Sequence, residues 1–397
     1  MRVLGVLSGT SMDGVDVAAC ELALSGDTAE LRPLGHTASG YPPELRERLL
    51  AALPPAATTA AELCELDTEV GRCFAEVAAD ALRRFGPADL VSSLGQTIYH
   101  WVEDGRARGT LQLGQPAWIA ERTGLPVVAD LRARDVAAGG HGAPLVGVLD
   151  SLWLGGEPGV SIALNIGGIA NISVVGGAHP LAYDTGPGNA LIDAAARMVT
   201  GGELAHDVDG AIAATGSVRA DLLKVLLDDP YYALEPPKST GKEHFNRAYL
   251  ARVLDGCGRV DDGDLLATLT ELTAATIADA CRGADRVVAS GGGTANPVLL
   301  AALRNRLADH GVPLGTSDQF GLPADGKEAY LTALLGFLTA HGLPGNVPGT
   351  TGARGPRLLG AITPGRAPLA LPEPAAETPR RLRILRPEPE WRPRASR

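Results

Sequence analysis

Three glycine-bearing turns and two isolated carboxylates are the parts of this sequence whose residue types and spacing could do chemistry. The turns are Gly9-Thr10-Ser11-Met12-Asp13-Gly14, Gly167-Gly168 and Gly291-Gly292-Gly293, and each follows an apolar, strand-like run. Glycine matters at such places because backbone N–H groups approach phosphate oxygens only where no side chain intervenes. The two commonest nucleotide fingerprints are absent. Ser239-Thr240-Gly241-Lys242 lacks the upstream glycine of a Gly-x-x-x-x-Gly-Lys-Ser/Thr loop, and no Gly-x-Gly-x-x-Gly follows a strand. A nucleotide clasped between two hairpin tips, with its adenosine near a third loop, would need the set that remains. One such turn alone is equally well an ordinary turn; three at strand ends point to nucleotide binding.

Asp184 directly follows the strand-like Leu181 to Tyr183 and precedes a helix whose N-cap candidate is Asn189. A carboxylate there can project into a cleft between lobes and serve as base toward a hydroxyl or water in phosphoryl transfer. The competing reading is a turn-forming aspartate. Asp13, in the first tip, could hold magnesium or a nucleophilic water, against the same alternative. His100, His141 and His244 stand alone without ligand spacing and read as structural.

These residues need elements to hold them. Val3 to Leu7 and Val15 to Leu24 predict a hairpin with a polar tip, and Ser161 to Ile166 with Ile172 to Val175 predict a second one. A strand, a glycine-rich tip and a strand opening each half suggests an internal duplication, with coincidence of two ordinary hairpins as the alternative. Helical periodicity runs over Glu44 to Leu53 and Ala61 to Phe85; Leu90 to Ser93 and Leu125 to Ala129 read as buried strands. Ala143 to Leu154 reads as a helix leaving the first lobe. Val287 to Ala289 leads into the third glycine turn and then a helix, with Asn296 as N-cap and Pro297 at its first position.

Composition sets the limits. A chain of 397 residues with 45% hydrophobic and 20% charged residues fits two globular domains. Net charge of −11 offers no basic face to displace counterions, so nucleic acid is not an expected partner. The chain opens on a strand-like run rather than a secretion signal, and no apolar run approaches a membrane span, so a cytoplasmic protein without a membrane partner is expected. Cys20, Cys64, Cys73, Cys257 and Cys281 form no Cys-x-x-Cys pair and read as apolar fillers. Residues 366–397, rich in Pro, Arg and Glu without apolar period, are expected to be a disordered tail.

The run Gly9-Thr10-Ser11-Met12-Asp13-Gly14-Val15-Asp16 resembles the signature of anhydro-N-acetylmuramic acid kinases. The resemblance continues, in order, through Gly95-Gln96-Thr97, Gln112-Leu113-Gly114, Val128 to Gly140 and Asn165 to Asn171. It goes on through Asp184 to Asn189, Pro236 to Gly241, Gly291 to Gly293, Lys327-Glu328-Ala329 and Thr351-Gly352-Ala353. It implies an α/β, two-lobed ATPase fold shared with actin, hexokinase and Hsp70, made of duplicated ribonuclease-H-like domains. The lobes are expected at 1–140, with about 346–365 packing back on it, and at 141–345. It also implies a reaction in which ATP and water convert 1,6-anhydro-N-acetylmuramic acid into N-acetylmuramic acid 6-phosphate in peptidoglycan recycling. Asp184 falls on the family's base and Glu328 on a second carboxylate. Gly9, Thr10, Ser11, Met12, Asp13, Gly14, Val15 and Asp16 fall on the phosphate-contacting segment, with Gly167, Gly168, Gly291, Gly292 and Gly293 as further nucleotide contacts. Gln96, Thr97, Asn171, Gly186 and Asn189 are expected at the sugar, Asp13 at Mg2+, and the enzyme as a homodimer.

Two positions depart from the family pattern: Leu94 stands where His usually precedes Gly-Gln-Thr, and Gln115 where an acid or Asn follows Gln-x-Gly. They leave open a kinase for another sugar or anhydro-sugar on the same scaffold. A sugar-responsive regulator or an assembling ATPase is the non-enzyme alternative. A regulator would carry a DNA-binding helical segment, whereas this chain starts on the first strand, and its negative charge opposes that reading too.

Overall fold

Val3 to Leu7 is apolar throughout apart from Gly5, the pattern of a strand covered on both faces. It forms β1 (Arg2–Ser8), buried from Val3 onward, in a computed structural model that describes residues 1–156, 159–176 and 181–385. β2 (Gly14–Ser25) and β3 (Thr28–Gly40) extend it as an antiparallel meander. On its other side β4 (Leu90–Glu103) runs parallel to β1, carries a hairpin with β5 (Arg106–Leu113), and is followed by the parallel β6 (Val127–Ala129).

The second sheet repeats this plan. β7 (Ser161–Ile166), β8 (Ile169–Val175) and β9 (Leu181–Pro187) form the meander, and β10 (Arg286–Ser290) and β11 (Leu314–Thr316) add in parallel. The spatial order β3-β2-β1-β4-β6 in one unit and β9-β8-β7-β10-β11 in the other is the same connectivity twice. The fold is therefore the duplicated, two-unit α/β architecture expected from the paired hairpins.

Two helices cover the first sheet. Ala60–Phe85 starts at Thr59, whose side chain accepts from the Glu62 N–H, and stops at Gly86 with φ 91°. Its buried Leu66, Val70, Phe74, Val77, Ala78 and Ala81 recur at helical spacing and pack on Leu4, Val6, Val15 and Val17. The helix Lys327–Ala340 packs against β1 and β4. It comes so close to β1 that a Cβ on Gly5 would fall on the Ala329 carbonyl oxygen, and one on Gly336 would sit 2.5 Å from the Ser92 Cβ. In the second unit, helix Asp262–Ala280 lays its C-terminal half on the sheet through Ala274, Ile277 and Ala278. Its N-terminal half, through Leu265, Leu266 and Leu269, packs in a helical cluster with Leu191, Leu222 and Leu250.

The division into units departs from the expected boundaries. One unit is Met1–Trp153 with Gly326–Arg397, the other Leu154–Asp325. Helix Lys327–Ala340 thus belongs to the first unit rather than the second, because the glycines of β1 and the helix let it bind that sheet. The tail also differs. After β12 (Ala361–Thr363), which pairs with β6, the chain runs on to β13 (Arg381–Ile384), parallel to β3. Leu382 is buried there, the Leu385 N–H donates to the Leu31 carbonyl (2.8 Å), and the exposed Arg383 pairs with Glu30. The alternation Arg-Leu-Arg-Ile, hidden inside a proline-rich stretch, supplies a short edge strand with charges outward. Residues 386–397 of the expected tail lie outside the described residues.

Burying one leucine is worth roughly 1.5–3 kcal/mol. Leu382→Asp should therefore lower the melting temperature, by about 2–4 °C for each kcal/mol lost in a unit of this size. Deleting 366–397 should do the same and leave the β3 edge open to association, visible by light scattering. Wild-type melting in both variants would show that β13 adds nothing to the fold.

Candidate functional site

The first tip is shaped from inside. The Ser8 hydroxyl donates to the Gly14 carbonyl (2.6 Å), and the Met12 N–H donates to the Gly9 carbonyl (3.1 Å). Met12 takes φ 54° and sinks its side chain into the core at 1% exposure, leaving Thr10, Ser11 and Asp13 exposed. Arg46 braces the turn, its Nε donating to the Met12 carbonyl (2.9 Å) and its guanidinium pairing with the exposed Asp13 at 3.2 Å. The side chains of Met12 and Val15, both buried, are therefore core and not nucleotide contacts; only their backbone is available.

Gln96 needs a similar correction. It is fully buried, its Nε2 donates to the carbonyls of Gly9 (3.1 Å) and Thr97 (3.2 Å), and its Oε1 accepts from the Tyr41 hydroxyl (3.1 Å). With those bonds made inside the protein it fixes the tip instead of touching sugar. The half-buried Thr97 keeps an Oγ1 that accepts from Gln112 (3.2 Å). Gln115 caps the helix Pro116–Thr123 by accepting from the Ala117 N–H (3.5 Å), the acceptor duty that Asp or Asn would serve at that position. Its departure from the family pattern is thus accounted for by local structure.

In the second unit Asp184 lies inside β9, opposite Asn171 and beside a register shift between Ala170 and Asn171, and not after the strand. Its Oδ2 accepts from the Ser239 hydroxyl (2.8 Å) and the Thr240 N–H (3.0 Å), and its carbonyl accepts from the Tyr231 hydroxyl (2.6 Å). Burial pushes its carboxyl above the usual range; the bonds from Thr240 and Ser239 pull against that, and the charge of Glu243 adds to it. Asn189 begins the helix Ala190–Val199 without capping it through its side chain; instead its N–H donates to the Gly167 carbonyl (2.8 Å), while the N–H groups of Gly188 and Ala190 donate to Gly168 (both 2.9 Å). Gly186, at φ 145°, has the Tyr232 ring 2.8 Å from where a Cβ would stand.

The third turn separates its glycines by what surrounds them. A Cβ on Gly291 or Gly293 would strike Asn165 or Ile166, whereas one on Gly292 would meet nothing within 4 Å. Gly9 likewise has only the Ser11 Oγ nearby, at 3.7 Å, while Gly14 would strike the Ser39 carbonyl and Gly168 the Lys242 side chain (2.5 Å). Gly291, Gly293 and Gly14 are glycines for internal packing. Gly9 and Gly292 border open space.

Glu328 stands exposed in the first turn of helix Lys327–Ala340. The Arg132 guanidinium senses its charge: burial pushes Arg132 down and Glu328 opposes that. Arg132 donates to the Gly142 carbonyl (2.7 Å) and leaves its buried Nε without a partner. Sequence carries no signal for Arg46; Arg132 lies within the segment Val128 to Gly140, and Ser239 and Thr240 within Pro236 to Gly241, where they read as part of an incomplete phosphate loop and not as holders of Asp184. Among the described residues no three His, Cys, Asp or Glu side chains gather as a metal cage, and no helix is long and apolar enough to cross a membrane.

The family model for anhydro-N-acetylmuramic acid kinase matches residues 1–365. The chain is 58% identical over 390 residues to the anhydro-N-acetylmuramic acid kinase of Streptomyces coelicolor, covering 97% of this chain and 99% of that one. It is 52% identical over 396 residues to the protein of the same name from Rhodococcus erythropolis, again covering 97% and 99%.

Gly9→Val and Gly292→Val should leave the melting temperature close to wild type while weakening ATP binding, measured by calorimetry. Gly293→Val should instead lower the melting temperature, because its side chain has no room. Undiminished ATP affinity in the first two variants would remove both turns from the nucleotide site.

Proposed function

We propose that this chain, which belongs to the anhydro-N-acetylmuramic acid kinase family, uses ATP and water to convert 1,6-anhydro-N-acetylmuramic acid into N-acetylmuramic acid 6-phosphate. The observation that carries the mechanism is Asp184, a half-buried carboxylate with a raised pKa, held by Ser239 and Thr240 through one oxygen. Its Oδ1 is left for a water. As that water attacks the anomeric carbon, its proton passes to Asp184. The bond from the anomeric carbon to the bridging 6-oxygen breaks, and the 6-oxygen takes the γ-phosphoryl group, releasing ADP. A carboxylate lifted toward neutral pH is a better base than an ordinary one, which suits it to this step. Glu328 serves as the second carboxylate.

The Gly9 and Gly292 backbones, clear of neighbouring side chains, support the reading of these turns as nucleotide contacts. A magnesium ion would supply charge neutralisation on the phosphates, and the exposed Asp13 fits the habit of that ion of binding through one or two carboxylates plus phosphate oxygens. The Asp13–Arg46 pair is exposed, so giving it up costs little, about 0–1 kcal/mol. Arg132, a cation held by the Gly142 carbonyl and close enough to Glu328 to sense its charge, adds positive potential there, which favours an acidic sugar such as the lactyl-bearing one over a neutral anhydro-sugar. The same reading places the enzyme in the cytoplasm, in peptidoglycan recycling, as a homodimer; Tyr99, Trp101 and Leu111, exposed on the β4–β5 hairpin, are surface of the kind a dimer covers.

Asp184→Asn keeps the shape and both hydrogen bonds but cannot take a proton, so turnover should fall roughly 10²–10⁴-fold with ATP still bound. A raised folded-state pKa means that the stability contributed by this carboxyl is complete below the ordinary carboxylate value and is lost as pH rises through the raised one. At pH 7 the variant should therefore melt at or above the wild-type temperature. The acid limb of the wild-type kcat/KM profile should lie above the usual carboxylate range. In ¹⁸O-labelled water the label should appear on the anomeric hydroxyl and not in the phosphate; label in the phosphate would mean that water attacks ATP, and the proposal would fail.

A further inference from the structure

Lys327 and Asp150 form a buried ion pair within the first unit, Nζ to Oδ1 at 2.7 Å, with side chains only 6% and 2% exposed. Asp150 Oδ1 receives no well-directed hydrogen bond, so the attraction is chiefly Coulombic. Little else at this helix start favours a lysine. Lys327 is the first helical residue, at the positive end of the helix dipole, and the preceding Gly326 offers no side-chain cap. An ammonium without a partner would be costly to bury at such a place.

A buried ion pair is weak evidence for stabilisation, because apolar residues of similar volume often serve the fold as well or better. What it does supply is a fixed direction. Successive helical residues point about 100° apart around the axis. With Lys327 anchored inward on helix Val146–Leu154, Glu328 is turned away from the anchor and stands exposed. The pair also sits within one helical turn of both places where the chain passes between units, Trp153/Leu154 and Asp325/Gly326. It ties the outgoing connection to the returning one on the first-unit side.

We propose that Lys327 and Asp150 are positioning residues for the reaction, holding the first turn of helix Lys327–Ala340 so that the Glu328 carboxylate keeps its working direction; this rests on the role given to Glu328 above. Misplacing a reacting group by about 1 Å can cost on the order of 100-fold in rate. The test compares wild type with Asp150→Asn, with the apolar double variant Lys327→Met/Asp150→Leu, and with Glu328→Gln. The double variant should melt near the wild-type temperature and keep the ATP KM within about twofold, yet lose roughly 10- to 100-fold in kcat. Asp150→Asn, which keeps shape and an acceptor, should lose kcat in the same direction and decides the outcome should the double variant not fold. Wild-type kcat in a folded ion-pair variant, alongside an impaired Glu328→Gln, would overturn this proposal alone. Wild-type turnover in Glu328→Gln would overturn the reading of Glu328 and the proposal with it.

Discussion

The approach of helix Lys327–Ala340 to β1 is the constraint on which the first unit depends. The helix backbone comes down onto the strand at Gly5, where any Cβ would overlap the Ala329 carbonyl oxygen, and onto β4 at the level of Ser92 through Gly336. Two missing side chains allow the contact, and a densely packed interior has no slack to restore it by other means. Because β1 runs directly into the Gly9 tip, and because Glu328 is the residue before Ala329, this packing fixes a candidate phosphate turn and a candidate catalytic carboxylate relative to one rigid strand. On the proposed function, the close approach therefore serves the chemistry as much as the core.

Both sides of the proposed reaction depend on polar groups held by hydrogen bonds from elsewhere in the same unit: backbone carbonyls in the first tip, a carboxylate side chain in the second unit. Gln96 and Arg46 fix the carbonyls of the first tip, and Ser239 and Thr240 hold Asp184 by one oxygen. In each case the holding residue is distant in sequence and the held residue is the one that the resemblance picks out. Asp135 does comparable work behind Arg132: fully buried, it accepts from Asn346 (2.7 Å), Thr351 (2.8 Å) and the Gly142 N–H (2.8 Å), pinning the returning segment and the loop that Arg132 also grips.

How much of this was legible beforehand follows from what each element displays. β1, β2 and β7 carry continuous or alternating apolar runs and were readable to within a residue or two, and Asn296 with Pro297 marked the start of their helix, Asn296 accepting from the N–H groups of Val298 and Leu299. β3 shows no strand pattern in sequence, because its middle carries Pro33, Gly35 and His36 where the alternation should continue. β13 was hidden by the prolines around it. Thr185-Gly186-Pro187 looks like a turn and so suggests that Asp184 lies beyond its strand, yet pairing with β8 keeps the chain extended to Pro187. Motifs located Gln96, Met12 and the glycines, but a motif does not say which way a side chain points. The Lys327–Asp150 pair joins residues far apart in the chain, and no local pattern announces it.

The discontinuity of the first unit also bears on how the chain comes off the ribosome. Its sheet runs β12-β6-β4-β1-β2-β3-β13, so both edges are supplied by the C-terminal segment, as is the helix covering one face. When residue 153 has been made, this sheet lacks that helix and both flanking strands, whereas Leu154–Asp325 is one contiguous stretch of chain. The nascent first half must then wait while the remaining chain is synthesised, on the order of 10–50 s at bacterial rates. The strands of residues 1–153 are thus among the last to be finished as structure, and the contiguous unit can mature before the discontinuous one receives its returning segment.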